Sequence, residues 1–446
     1  MPERTLIIKN GTIVTMNKKR EYIKADIFIK DDRIIDIRPN LEANAEKVID
    51  ADGMIIIPGL IQTHIHLTQS LFKGQADDLE LLDWLKKKIW PLEAVHTYES
   101  NYISAKLGIA ELIKGGTTSI IDMETVNHTE AAFEAVLGSG IRAHMGKCMM
   151  DYGKDLPDSL MEDTQNSIKE SIRILKKWHQ KGNGRIQYAF APRFVVSCSE
   201  ELLLKVKDLA EEYGVMVHTH ASENQSEIAL VQKDRKMRNI AYLHKLGLTG
   251  ENLILAHCIW LDEEEMNILA DTGTKVSHCP NSNLKLASGI AKIPELLKMG
   301  VNVSMGADGA PCNNNLDIFG EMRSAALIHK ARLLDPTTMS AHTVFEMATI
   351  EGAKAMGLES EIGSIEKGKK ADLAILNLKN IHNAPYENVD IISQLVYSAS
   401  SKDVMTTIVD GNILMENRQL KTIDEDAVIS ESNRILKEQL KKIKIL

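Results

Sequence analysis

Two histidines close the apolar run "PGLIQTHIHLTQ": His64 and His66, with one residue between them. In an extended strand residues i and i+2 share a side, so both imidazoles face one way where a buried strand would carry Val or Ile. The pattern recurs downstream. His218-x-His220 ends "VMVHTH", with Glu223 three residues on. "LILAHC" then places His257, "KVSHC" places His278 and "VNVSMGAD" places Asp308 at the ends of later apolar runs. Imidazole nitrogen and carboxylate oxygen are the ligand atoms of a borderline divalent cation such as Zn²⁺. Taken singly, each residue has a plainer reading: a lone buried histidine is usually a satisfied core residue, and Asp308 before "GAPCNNN" suits a helix N-cap. Together, polar residues at the same end of four or five apolar strands point to a metal site. Spacing does not choose between His218 and His220, which lie on one strand face.

Such residues meet only if their strands lie side by side with C-terminal ends converging. Continuous apolar strands alternating with helical stretches ("GRIQYAFAPRF" before "SEELLLKVKDLAEEYG") imply a parallel sheet covered by helices. About 300 residues of this rhythm favour an α/β fold of the (β/α)₈ TIM-barrel type over residues 58–362, whose active site sits at the C-terminal strand ends. No G-x-G-x-x-G follows a strand, which argues against a dinucleotide fold. Short alternating strands with turn pairs such as Asn10-Gly11 and Asp52-Gly53 fill residues 1–57, and similar patterns return over 363–425. Neither segment is large enough to bury a sheet face alone, so one small β-sandwich built from both chain ends is expected. The stretch 426–446 reads as an amphipathic helix that packs on the body of the protein rather than on a membrane.

Composition narrows the function. The 446 residues carry a net charge of −9 with basic residues dispersed, which argues against a nucleic-acid partner. Five cysteines with no C-x-x-C pair exclude a thiolate zinc ribbon and argue against a disulfide framework. The sequence shows no secretory leader and no membrane-length apolar run, so a cytoplasmic protein acting on a small molecule is expected; a homo-oligomer is compatible with the sequence.

"PGLIQTHIH", "VHTHASE", "AHC", "SHCPNSNLKLASG" and "GADGAPCNNN", in this order, resemble the amidohydrolase superfamily. They look closest to its deaminase and chlorohydrolase branch, which includes 5′-deoxyadenosine, methylthioadenosine/S-adenosylhomocysteine and guanine deaminases and s-triazine hydrolases. The resemblance covers nearly the whole chain. It implies a metal held by His64, His66, His220 and Asp308, His220 being chosen over His218 because Glu223 follows it by three. Members with two metals carry a lysine at the fourth strand end; here "YAFAPRFVV" offers Arg193 instead. The expectation is therefore one divalent ion per chain, zinc first, with iron or manganese as alternatives.

The same resemblance implies catalytic roles for Glu223, which protonates a substrate ring nitrogen; Asp308, which takes the proton of a metal-activated water; and His257, which orients that water. Gln69, Glu93, Arg193 and His278 are the implied substrate-binding residues. Glu93, in "WPLE", matches a position that grips ribose hydroxyls in the adenosyl branch; Gln69 and Arg193 match the purine grip of guanine deaminases. Trp84 and Trp90 either wall a heterocycle or pack. The implied reaction is hydrolytic deamination of an amino-purine, adenosine-type nucleoside first, guanine or a pterin second, s-triazine amino- or chlorohydrolysis third. A ring-opening amidase and a silent scaffold are the readings from other classes. The H-x-E and P-C-x-x-C signature of cytidine deaminases is absent from the sequence.

Overall fold

The computed structural model describes residues 4–443. Ten strand segments form one parallel sheet. Seven of them run Leu60–His66, Thr117–Met123, Arg142–Gly146, Ile186–Pro192, Met216–Ala221, Leu253–His257 and Lys275–His278. Val303–Met305 and Asp308–Gly309 are two pieces of an eighth barrel strand, and Cys148–Met149 is a short addition beside the fourth. The first piece pairs with Lys275–His278 and the second with Leu60–His66, which closes the circle. Gly306, between the pieces, is what allows this closure. A Cβ there would stand 2.6 Å from the His64 carbonyl oxygen and 2.7 Å from its nitrogen, so only glycine lets the last strand press against the first at a candidate ligand.

The strands are buried on both faces, as their near-continuous apolar sequences require. Helices between them start on side-chain caps that the sequence supplies. Ser199 accepts from the Leu202 N–H ahead of Glu200–Tyr213, and Asp262 forms a reciprocal capping pair with Glu265 ahead of Glu263–Thr272.

Two sheets from the chain ends make the second layer. One has four strands, all from the first 50 residues; the other has seven and mixes the ends, with Ile55–Pro58 antiparallel to Leu373–Leu376 and parallel to Thr12–Val14. Leu6, Ile8 and Ile27 of the first sheet share one core with Ile13, Ile56 and Leu373 of the second. A sandwich built from both ends is thus present. A short helix, Ile391–Tyr397, interrupts the returning strands where the sequence patterns suggested strands alone.

The closing helix, Glu425–Ile443, buries Val428, Ser432, Ile435 and Gln439 against the barrel layer; the expected residues 444–446 lie outside the described ones. No helix among the described residues is long and apolar enough to cross a membrane.

Candidate active site

Six of the predicted residues arrive at the C-terminal mouth because their strands end there. His64 and His66 end the first strand, His218 and His220 lie on the fifth, His257 ends the sixth and Asp308 begins the last piece. His257 and Asp308 take left-handed backbone angles, φ +74° and +63°. Non-glycine residues adopt this region rarely and at some cost, and here it occurs at two side chains that must be aimed inward.

The imidazoles converge with their lone pairs inward. His66 donates from Nδ1 to the Met123 carbonyl at 2.8 Å, and His220 donates from Nδ1 to the Arg193 carbonyl at 2.6 Å. A carbonyl only accepts, so in the neutral rings both Nε2 atoms are acceptors; they face each other at 3.2 Å. His64 Nε2 and His257 Nε2 are buried with no hydrogen-bond partner. Asp308 Oδ1 lies 3.1 Å from His64 Nε2 and 3.4 Å from His66 Nε2. Burial lowers the pKa of His64 and His220 and takes that of His66 down to about 3, so the rings stay neutral.

Opposed lone pairs beside an ionised carboxylate are mutually repulsive unless a cation sits among them. The donor set therefore fits a divalent metal. One ligand atom each from His64, His220, His257 and Asp308 lies within 4.8 Å of the others, and His66 adds a fifth group. The outer nitrogens are tied as metal-ligand histidines usually are: His64 Nδ1 is 2.8 Å from His218 Nε2, and His257 Nδ1 donates to Asn283 Oδ1 at 2.8 Å.

A cavity opens onto this cluster. Its polar lining is His66, Gln69, Arg193, His220, Glu223, His257 and Asp308; its apolar lining is Leu81, Trp84, Leu85, Phe194 and Leu286. Glu223 Oε2 is 3.5 Å from His257 Nε2, and its other oxygen is buried and unpartnered. Burial, then the charge of Asp308, raises the Glu223 pKa well above the ordinary value, which favours its protonated form.

Other expected residues are placed differently. Glu93 does not line the cavity but lies behind it, accepting from Gln69 Nε2 at 2.8 Å and from Arg193 at 2.7 and 3.3 Å. His278 is turned away, with its Nε2 3.3 Å from His329 Nε2, and does not line the cavity. Trp84 lines it, whereas Trp90 packs in the apolar cluster behind. The sequence reading passed over Asp122 and Ser282. Ser282 Oγ donates to Asp308 Oδ2 at 2.6 Å, and Asp122 accepts from the Leu67 N–H next to His66. Asp122 carried a findable signal: "TTSIIDM" is an apolar strand ending in an acid, as the strand before Asp308 does.

A sequence model described as "Amidohydrolase family" matches residues 55–414. The chain belongs to that family. It is 42% identical to the 5′-deoxyadenosine deaminase of Methanobrevibacter smithii over 98% of this chain and 99% of that one. It is also 42% identical to the 5-methylthioadenosine/S-adenosylhomocysteine deaminase of Thermococcus onnurineus, over 93% of this chain and 95% of the relative. Among solved structures, an adenosine deaminase from Xanthomonas campestris with bound zinc superposes with a TM-score of 0.91 at 30% identity, covering 99% of both chains. This amidohydrolase is accordingly a TIM-barrel hydrolase acting on carbon–nitrogen bonds other than peptide bonds, with a divalent-metal site.

Proposed function

We propose that this amidohydrolase deaminates an adenosine-type nucleoside, such as 5′-deoxyadenosine, methylthioadenosine or S-adenosylhomocysteine, water replacing the exocyclic amine and ammonia leaving. One observation carries the reading: Glu223, a buried carboxyl whose pKa burial raises, shares a cavity with Asp308 and the imidazoles of His66, His220 and His257. The names of the full-length relatives support the nucleoside.

His64, His66, His220 and Asp308 would hold one cation, zinc first, with His257 beside it. Arg193, standing where a bridging lysine would be needed, supports a single ion. A bound cation of this kind supplies Lewis acidity, lowering the pKa of water toward neutrality. Asp308, fixed by Ser282 Oγ at 2.6 Å and the Gly309 N–H at 2.7 Å, accepts the proton of the attacking water. Glu223 gives its proton to a ring nitrogen, making the amine-bearing carbon electrophilic. His257, with Nε2 3.5 Å from Glu223 and 3.7 Å from Asp308, orients the water between the two carboxyls. Asp308 returns the proton it took from water to the amine, which departs as ammonia. Leu81, Trp84, Leu85 and Phe194 form the apolar wall beside this exchange.

Guanine or a pterin is a second reading, favoured by the presence of both Arg193 and Gln69 in the lining; a guanidinium and an amide together can donate to a ring carbonyl. An ammonia-release screen over 5′-deoxyadenosine, methylthioadenosine, S-adenosylhomocysteine, adenosine, guanine and pterins tests both. The expected result is the highest kcat/KM among the nucleosides. Preference for guanine promotes the second reading, and no ammonia from any of them rejects deamination.

A further inference from the structure

The closing helix, Glu425–Ile443, buries one side chain whose hydrogen bonding its own helix does not explain. Gln439 is 2% exposed, and its Nε2 lies 3.0 Å from Nδ1 of His96. His96 lies between the two parts of the candidate substrate wall. Its Nε2 donates to the Thr68 carbonyl at 2.9 Å, and its backbone N–H donates to the Glu93 carbonyl at 3.2 Å. Thr68 precedes Gln69, and Gln69 in turn bonds Glu93. One residue thus joins the two segments, its ring holding the turn that carries Gln69 and its backbone N–H the helix end that carries Glu93.

The polarity of the chain of bonds is determined. Thr68 O can only accept, so the His96 proton sits on Nε2 and Nδ1 is a lone pair. The Gln439 amide must then present its NH₂ group, because a flipped amide would set two acceptors face to face. Ser100 Oγ, 2.9 Å from the same Nδ1, completes the environment. Burial lowers the His96 pKa to about 4, consistent with a neutral ring. The helix that delivers Gln439 is itself tied down: Ile435 packs with Leu71, Phe72 and Leu92, Lys114 pairs with Glu425, and Arg434 pairs with Glu99.

We propose that Gln439 and His96 are positioning residues for the Gln69–Glu93–Arg193 wall, so that the C-terminal helix sets substrate affinity from behind the pocket. This rests on the reading of that wall as substrate-facing. The relay touches neither the metal cluster nor Glu223, so it acts on binding and leaves the chemical step alone.

The test uses full-length, metal-loaded enzyme and the variants Gln439→Met, His96→Leu and His96→Gln. Methionine keeps the length and packing of Gln439 without its donor; glutamine at 96 can still donate to Thr68 O. Gln439→Met and His96→Leu are expected to raise KM by about three- to tenfold, the span of one neutral hydrogen bond, at near-wild-type kcat and metal content. His96→Gln should recover most of the loss. Unchanged KM in both Gln439→Met and His96→Leu overturns the proposal, as does a fall in kcat or metal content at constant KM. The constants are measured on whichever amino-heterocycle the wild type turns over fastest. Absence of nucleoside turnover then counts against the proposed substrate, while the relay is still decided by the KM ratios.

Discussion

Arg193 grips Glu93 in a two-pronged ion pair, Nη1 to Oε2 at 2.7 Å and Nη2 to Oε1 at 3.3 Å, with Glu93 only 2% exposed. The sequence presents these residues as signs of rival substrates, the carboxylate for a sugar and the guanidinium for a ring carbonyl. In the fold they are one unit. Glu93 neutralises Arg193 and accepts from Gln69, while Arg193 and Gln69 face the cavity.

The pairing changes what mutation should do. Removing one partner of a buried pair strands the other charge, at a cost of about 3–5 kcal/mol. Glu93→Gln and Arg193→Met should each therefore depress stability and kcat/KM on a nucleoside and on guanine alike. The double variant should lose less than the sum. Denaturation midpoints and kcat/KM for the three variants form the cycle. Additive losses, each confined to one substrate, would restore the separate roles.

The metal ligands separate in a second comparison. Five groups face one point, and His66 and His257 compete for the fourth place beside His64, His220 and Asp308. His66→Ala is expected to abolish metal retention and activity together while the barrel folds, whereas His257→Ala keeps one ion per chain and loses turnover. Metal analysis with circular dichroism of both variants decides. Full metal content in His66→Ala, or an empty His257→Ala, reverses the assignment.

Much of this site was legible because each strand carries its own signal. An H-x-H at a strand end states its direction locally; two such ends, with His257, His278 and Asp308 at three more, imply a shared mouth once parallel pairing is granted. What remained hidden depends on contacts between residues 51 to 343 positions apart. Nothing local says that Glu93 reaches Arg193, that His278 turns toward His329, or that Gln439 reaches His96. The sandwich was readable from alternation and turn pairs, but the helix Ile391–Tyr397 follows a long polar loop without a strong apolar period.

A third prediction concerns Asp122 and Glu124, buried together behind His66. Burial raises both: Asp122 well above the carboxylate range, helped by the charge of Glu124, and Glu124 up to about 7. An unfolded chain releases these protons near pH 4. From there to about pH 7 the folded chain binds more protons than the unfolded one, so stability falls as pH rises. Asp122→Asn keeps an oxygen for the Leu67 N–H, 2.8 Å away, and replaces the proton with an amide N–H. Its urea midpoint should vary less than that of the wild type from about pH 5 to about pH 8, with the gap in its favour growing toward alkaline pH. Parallel profiles would show that the pair holds no extra proton.

The final prediction isolates the proton donor. Glu223 lines the cavity, one of its oxygens has no partner, and burial raises its pKa well above the ordinary carboxylate value. Glu223→Gln retains size and an N–H donor but cannot transfer a proton, and Glu223 is not among the proposed ligands. Metal content and fold should therefore survive while kcat falls by about 10² to 10⁴-fold, the usual worth of a positioned general acid. The pH profile adds a readout that size or packing would not move. An acid with a raised pKa is active below that pKa and is lost as pH rises through it, so the wild type should show an alkaline decline. The residual activity of Glu223→Gln should lack that decline. Near-normal kcat in the metal-loaded variant would return Glu223 to a structural role and leave the ring nitrogen to be protonated by another group.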